Sequence, residues 1–224
     1  MKEQSMGPGR SRLWVSMLLA GFVLMGGGFR PASAAAPGFI PFALAPYFSC
    51  EIPKNWGVEK SGERSFGLSP EEKKVYGISL HGPAGPPPAL RIDVEFYARG
   101  NLLHNSPEVY IRRHAEPLFG QFEGESYGPV EVTIVAEKAA WTFERQKHQF
   151  VPAAPDLAAE PPADPSRIYA RPGLRAMPVA VRERFVVVSS DAGFYALHYI
   201  APAERFGEFL PLFEQVVATF RPQR

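Results

Sequence analysis

From Leu90 to Tyr97 the side chains alternate, with Leu90, Ile92, Val94 and Phe96 on one side and Arg91, Asp93, Glu95 and Tyr97 on the other. A period of two predicts a strand with one face packed and the other meeting water. Shorter runs repeat the pattern. Phe48, Cys50 and Ile52 alternate with Ser49 and Glu51 and stop at Pro53, after which Trp56 is placed to cap the core. A weaker strand is expected around Arg64 to Leu68, and another over Val75, Tyr76, Ile78 and Leu80. Val130, Val132 and Ile134, then Trp141 and Phe143, predict two strands joined near Lys138, and such meanders are antiparallel as a rule. Phe185, Val187 and Val188 predict one more. Phe194 to Ile200 is apolar on both faces, so layers must cover it above and below.

Two segments carry the helical period instead. Ser106-Pro107-Glu108 opens the first with a side-chain cap, a proline at the first position and an acid at the positive end of the dipole. Ile111, Ala115 and Leu118 share its apolar face. The second runs from Phe206 through Phe209, Leu210, Phe213, Val216, Val217 and Phe220, and its stripe must lie on the sheet. Pro211 predicts a kink or a fresh start there. Strands and helices in this order predict an α+β chain, an antiparallel sheet sandwiched between helix layers and closed by a long C-terminal helix.

The first 34 residues stand apart. Lys2, Arg10 and Arg12 precede seventeen residues without a charge, Leu13 to Phe29, and Ala32-Ser33-Ala34 supplies small side chains at alternate positions. This is the order of a Sec-type signal peptide cut after Ala34, which implies export to the periplasm or beyond. The alternative is a retained N-terminal membrane anchor, weakened as a helix by Gly26-Gly27-Gly28. Cys50 has no lipidation context, since Tyr47 stands where such a box wants Leu. Residues 35–224 then form one domain, with a proline-rich insertion at 151–178 that carries seven prolines.

Lys2, Arg10, Arg12 and Arg30 are four of the 24 basic residues and Glu3 is one of the 23 acidic ones, which leaves residues 35–224 with a net charge of about −2. That balance gives no electrostatic drive toward nucleic acid. A single Cys excludes an intramolecular disulfide framework and a Cys-rich zinc site.

Residues of chemical interest are few. His81, His104, His114, His148 and His198 show no metal-ligand spacing, and no phosphate loop, dinucleotide fingerprint or nucleophile elbow is present, so the sequence implies neither cofactor nor catalysis. The best polar cluster is His104, Glu108 and His114 at the first helix, a candidate small-ligand or metal site. His198, inside an apolar strand, reads as a hydrogen-bonded core residue. Cys50 shares its side of the strand with Phe48 and Ile52 and reads as a buried thiol; Trp56, Phe96, Leu197 and Phe213 join it as expected core. Arg167, Arg171, Arg175, Arg182 and Arg184 gather five guanidiniums with Glu183 the only acid among them, a candidate surface for a protein partner. Tyr97, Tyr110 and Tyr169 are candidate interface anchors beside it.

Four segments in order, Phe48-Ser49-Cys50-Glu51-Ile52-Pro53-Lys54-Asn55-Trp56, Arg91 to Tyr97, Gly193 to Tyr199, and Val216-Val217-Ala218-Thr219-Phe220-Arg221, resemble the PsbP family and bacterial relatives such as DcrB. The resemblance implies an antiparallel sheet between helix layers in an exported binding or assembly component with no shared catalytic residue. On that basis the chain is expected to be a non-enzymatic component of the cell envelope with a protein partner; the alternative expectation is a small-ligand or metal-binding exported protein.

Overall fold

The computed structural model describes residues 38–60, 68–85, 87–117, 120–152 and 176–224, all within the unit Ala35–Arg224. The N-terminal segment 1–34 lies outside these residues, as do Arg167, Tyr169, Arg171 and Arg175. In chain order the strands and helices are β1 (Phe39–Leu44), β2 (Phe48–Pro53), β3 (Gly57–Lys60), α1 (Pro70–Lys73), β4 (Val75–His81), β5 (Arg91–Ala98) and α2 (Pro107–Ala115). There follow β6 (Ser126–Tyr127), β7 (Glu131–Val135), β8 (Lys138–Pro152), β9 (Ala176–Ser190), β10 (Gly193–Pro202), α3 (Phe206–Thr219) and β11 (Arg221–Pro222).

Eight strands form the main sheet in the order β3-β4-β5-β10-β9-β8-β6, with β7 paired to the first part of β8. A second sheet has the order β1-β2-β11. Every pairing is antiparallel. Local chemistry sets the turns. Ala136 and Glu137 take φ values of 50° and 64° in the two-residue turn between β7 and β8, the geometry that matches strand twist. Gly193 opens β10 at φ 153°, where a Cβ would stand 2.0 Å from the carbonyl oxygen of Tyr97, so only glycine lets the two strands meet there. Ser106 caps α2 by accepting from the Val109 amide at 3.3 Å.

One face of the main sheet carries the larger core. Ile78, Leu80, Ile92, Val94, Phe96, Val186, Val188, Tyr195, Leu197 and Tyr199 meet α3 and the small sheet there. Cys50, Trp56, Phe96, Leu197 and Phe213 all lie in this core. Each fully buried side chain of this size contributes about 1.5–3 kcal/mol. Polar ties stitch the layers together: the Tyr195 hydroxyl donates to the Tyr47 carbonyl at 2.8 Å, and the Tyr199 hydroxyl donates to the Phe206 carbonyl at 2.8 Å. The opposite face holds a smaller core in which Tyr110 and Ala115 of α2 pack on Tyr97, Phe143, Phe185, Val187, Phe194 and Ala196.

Several expectations need correction. The C-terminal helix is not long: α3 has 14 residues, and Pro211 lies inside it with no fresh start, since the proline costs only the one amide bond to the Gly207 carbonyl. The helix layers are thin, with α3 sharing its face with the small sheet and the nine-residue α2 covering only part of the other. The proline-rich insertion begins later and ends earlier than composition implied, because β8 and β9 stay paired out to Val151↔Met177 and Pro152↔Ala176. The expected strand around Arg64 to Leu68 lies almost wholly outside the described residues, and β3 precedes it. No helix among the described residues is long and apolar enough to cross a membrane.

Candidate functional site

Beside α2, among the described residues, the strand alternation presents charge instead of hydrocarbon on this face of the sheet. Ser79 on β4, Arg91, Asp93 and Glu95 on β5, His198 and Ile200 on β10, Glu183 on β9, and Arg145, Lys147 and Gln149 on β8 line a cavity of about 530 Å³, closed at one end by Tyr97, His104, Tyr110 and His114. Strand register puts them in rows: Ser79 pairs with Asp93, Asp93 with His198, and Arg145 with Glu183.

His198 is the hub. Its Nδ1 lies 3.4 Å from Asp93 and its Nε2 3.4 Å from Glu183, and its ring stacks on Phe185 at 4.3 Å between centroids. The Nε2 contact is electrostatic and not a directed hydrogen bond. Asp93 also accepts from Ser79 Oγ at 2.7 Å and Arg91 Nε at 2.9 Å. Glu183 pairs with Arg145 Nε and, at 3.2 Å, with Lys147 Nζ. Arg145 Nη1 donates to the His114 carbonyl at 3.2 Å, which ties the sheet to α2. Tyr97 donates to Glu95 at 2.6 Å.

Each carboxylate in this network is surrounded by donors. Burial pushes the Glu183 pKa up, but His198 and Arg145 outweigh it and hold the group well below its ordinary value. Asp93 follows the same pattern, with burial overcome by His198, Arg91 and Ser79. Burial lowers the His198 pKa, and Asp93 and Glu183 reverse the sign and raise it. His114 goes the other way, driven down to about 3 by burial and by Arg145, and His104 is lowered by burial and by Arg113. Burial thus favours the neutral form of the two rim histidines, while the two carboxylates favour the protonated form of His198.

Of the residues singled out in the sequence, His104 and His114 come together, their rings 5.8 Å apart with Tyr110 against both. Glu108 does not join them. It is exposed, stays near the capping Ser106 and lines a groove with Ile111, Arg112 and Trp141, because six residues of helix set it roughly 120° round the axis from His114. No group of three or more His, Cys, Asp and Glu side chains suited to a metal occurs among the described residues.

Arg182 and Arg184 flank Glu183 but point to the other face, as alternation requires. Both reach Glu144, at 2.6 Å and 3.2 Å, and Arg182 lies over the Phe206 ring at 4.6 Å. The two arginines thus share one carboxylate, and the Arg182 side chain stays 48% exposed. Tyr97 and Tyr110 are 5% and 4% exposed, so neither is a surface anchor. Cys50 is buried, its thiol pushed up to about 12 by burial and by Glu51.

Asp93, Arg145, Lys147 and Glu183 were not singled out in the sequence. For two of them a signal exists: Glu183 continues the side of Phe185 and Val187, and Arg145 that of Trp141 and Phe143. A charge that continues an apolar side of a strand sits where burial is expected.

No family model and no curated protein matches this chain. Among solved structures it is similar to the solution structure of cyanobacterial PsbP (CyanoP) from Synechocystis sp. PCC 6803, at 9% identity and a TM-score of 0.43, over 85% of this chain and 95% of that one. It is also similar to LpqN, described as involved in cell envelope biogenesis of Mycobacterium tuberculosis, at 12% identity and a TM-score of 0.42, over 83% of this chain and 91% of that one. A PsbP is thus among the solved structures to which this chain is similar.

Proposed function

We propose that this chain is an exported, non-enzymatic binding component of the cell envelope that takes a small polar ligand into the cavity above His198. The observation that carries the reading is the cavity itself: about 530 Å³ within the range of small-molecule sites, with a charged cluster built into its floor. Export rests on the basic, apolar and small-residue order of residues 1–34.

A binding role suits the chemistry better than a catalytic one. Both nitrogens of His198 lie 3.4 Å from carboxylates, so the ring is engaged by the protein's own groups and not aimed at a guest. The Ser79 hydroxyl donates to Asp93, but against burial His198, Arg91 and Ser79 hold that carboxylate below its ordinary value and make it a weak base, and burial and Glu95 push the Tyr97 phenol well above its ordinary value.

The test is a melting-temperature screen of the purified chain against sugars, amino acids, carboxylates, phosphate esters and polyamines. A ligand at a hundred times its Kd adds about 2.7 kcal/mol, a rise of about 5–10 °C for a domain of this size. A rise for at least one class is expected; no rise for any class overturns the reading.

The protein-partner reading keeps one support, at a different place from the arginines. Val132 and Ile134 on β7 are 78% and 75% exposed, and among the described residues β7 pairs only with β8. A partner captured by the wild type and lost by Val132→Glu would favour it.

A further inference from the structure

The charges that line the cavity are unevenly spent. The two buried carboxylates on the floor are already served: Asp93 by Ser79, Arg91 and His198, and Glu183 by Arg145, Lys147 and His198. Both are engaged by the protein's own donors, as is the third acid of the lining, Glu95, which accepts from the Tyr97 hydroxyl. The cations differ. Arg91 meets Asp93 through Nε alone, and its side chain is 42% exposed. Lys147 has three donors, meets Glu183 at 3.2 Å, and is 32% exposed. The unspent N–H groups therefore stand at the opening, while the acceptors lie beneath them.

The surroundings agree with this polarity. His198 sits between its two carboxylates, and Tyr97, Tyr110 and Ile200 offer apolar wall for the body of a guest. A guanidinium fork and an ammonium at a partly closed opening make an oxyanion site, because charge-assisted N–H···O⁻ bonds strengthen where water is partly excluded.

Resting on the binding reading above, we propose that the ligand of this cavity is a small organic anion, a carboxylate or phosphate ester, whose oxyanion is held by Arg91 and Lys147 over the Asp93–His198–Glu183 floor. The floor does not bind the guest directly. It fixes the two cations in place and keeps them from folding onto the protein's own surface. Discrimination follows: neutral sugars lose the charge-assisted bonds, and polyamines meet cations.

Calorimetric titration of the purified chain at about 0.15 M NaCl, where weak surface charge effects are screened, separates the cases. The probes are citrate, glycerol 3-phosphate, glucose and putrescine in an amine buffer. Saturable binding of citrate or glycerol 3-phosphate is expected at a Kd of about 1 mM or tighter, with no heat from glucose or putrescine. Arg91→Gln with Lys147→Gln is expected to weaken it by about tenfold or more, and Arg182→Gln, on the opposite face, to leave it unchanged. If the double variant does not fold, Lys147→Gln alone and Lys147→Arg replace it, the first weakening binding and the second retaining it. Glucose or putrescine binding without the anions overturns the anion assignment and leaves the binding reading standing. Anion binding that the variants do not weaken overturns the assignment as well. No binding and no melting shift from any class overturns both.

Discussion

Nδ1 of His198 lies 3.4 Å from an Asp93 carboxylate oxygen, across a register pair that joins β10 to β5 near the middle of the main sheet. With Glu183 at 3.4 Å on the other nitrogen, the ring bridges three strands. Desolvating three ionisable groups costs several kcal/mol, offset only while all of them remain paired. The network is therefore stable as a set and fragile to the loss of any member.

Removing the Glu183 carboxylate tests that fragility. Glu183→Gln leaves Arg145, Lys147 and His198 without their shared counter-ion in a site only 1% exposed. The expected loss is about 3–5 kcal/mol, read as a lower urea midpoint. A loss below about 1 kcal/mol, the level of a surface pair, contradicts the account.

The same network sets a pH dependence. The raised His198 pKa adds stability that is complete below its ordinary 6.5 and is lost as pH rises through the folded-state value. The lowered carboxylates Asp93 and Glu183 add stability that is complete above their ordinary 3.8 and 4.5 and is lost as pH falls through their folded-state values. The gap in urea midpoint between wild type and His198→Gln is therefore wider near pH 6 than near pH 9 (both about), and an unchanging gap contradicts a cationic His198.

His114 acts in the opposite sense. A folded-state pKa near 3 means that its contribution is complete above 6.5 and is lost as pH falls toward 3, because the unfolded ring takes up a proton the folded one refuses. His114→Phe keeps a ring against Tyr110 and Phe185 and removes that loss. Its melting temperature is expected to fall less than the wild type's between about pH 7 and pH 4.5; an equal fall contradicts the assignment.

Cys50 gives a test of the larger core. Its thiol is 5% exposed and its pKa is pushed up to about 12, so a thiol reagent is expected to label it only on unfolding. Fast labelling of the native protein contradicts this and revives a thiol chemistry. Cys50→Ser buries a hydroxyl in its place and is expected to cost about 1–3 kcal/mol by denaturant melt.

Much of the fold is legible in the sequence because its signals are local. The alternation over Leu90 to Phe96, the Ser106-Pro107-Glu108 cap and the three-and-four spacing of α3 each need only neighbours along the chain. The full length of the β8–β9 hairpin is not local in that sense. Its outer rungs contain prolines and alanines, and they are strands only because each has a partner across the ladder. The site is less legible for the same reason. Asp93 alternates correctly to the side opposite Phe96, but whether that side meets water depends on His198, 105 residues away and supplied by strand pairing. The run Arg182-Glu183-Arg184 hides the buried acid, because it reads as one exposed patch, whereas a strand sends Glu183 to the face opposite the two arginines.

The most direct test of the central claim is amide chemical-shift mapping with the compound that most raises the melting temperature. The account predicts that Asp93, Arg145, Glu183 and His198 move together while Phe213 and Val216, beneath the other face of the sheet, stay still. Shifts gathered on Val132 and Ile134, or on Arg182 and Arg184, with the His198 cavity silent, would contradict it.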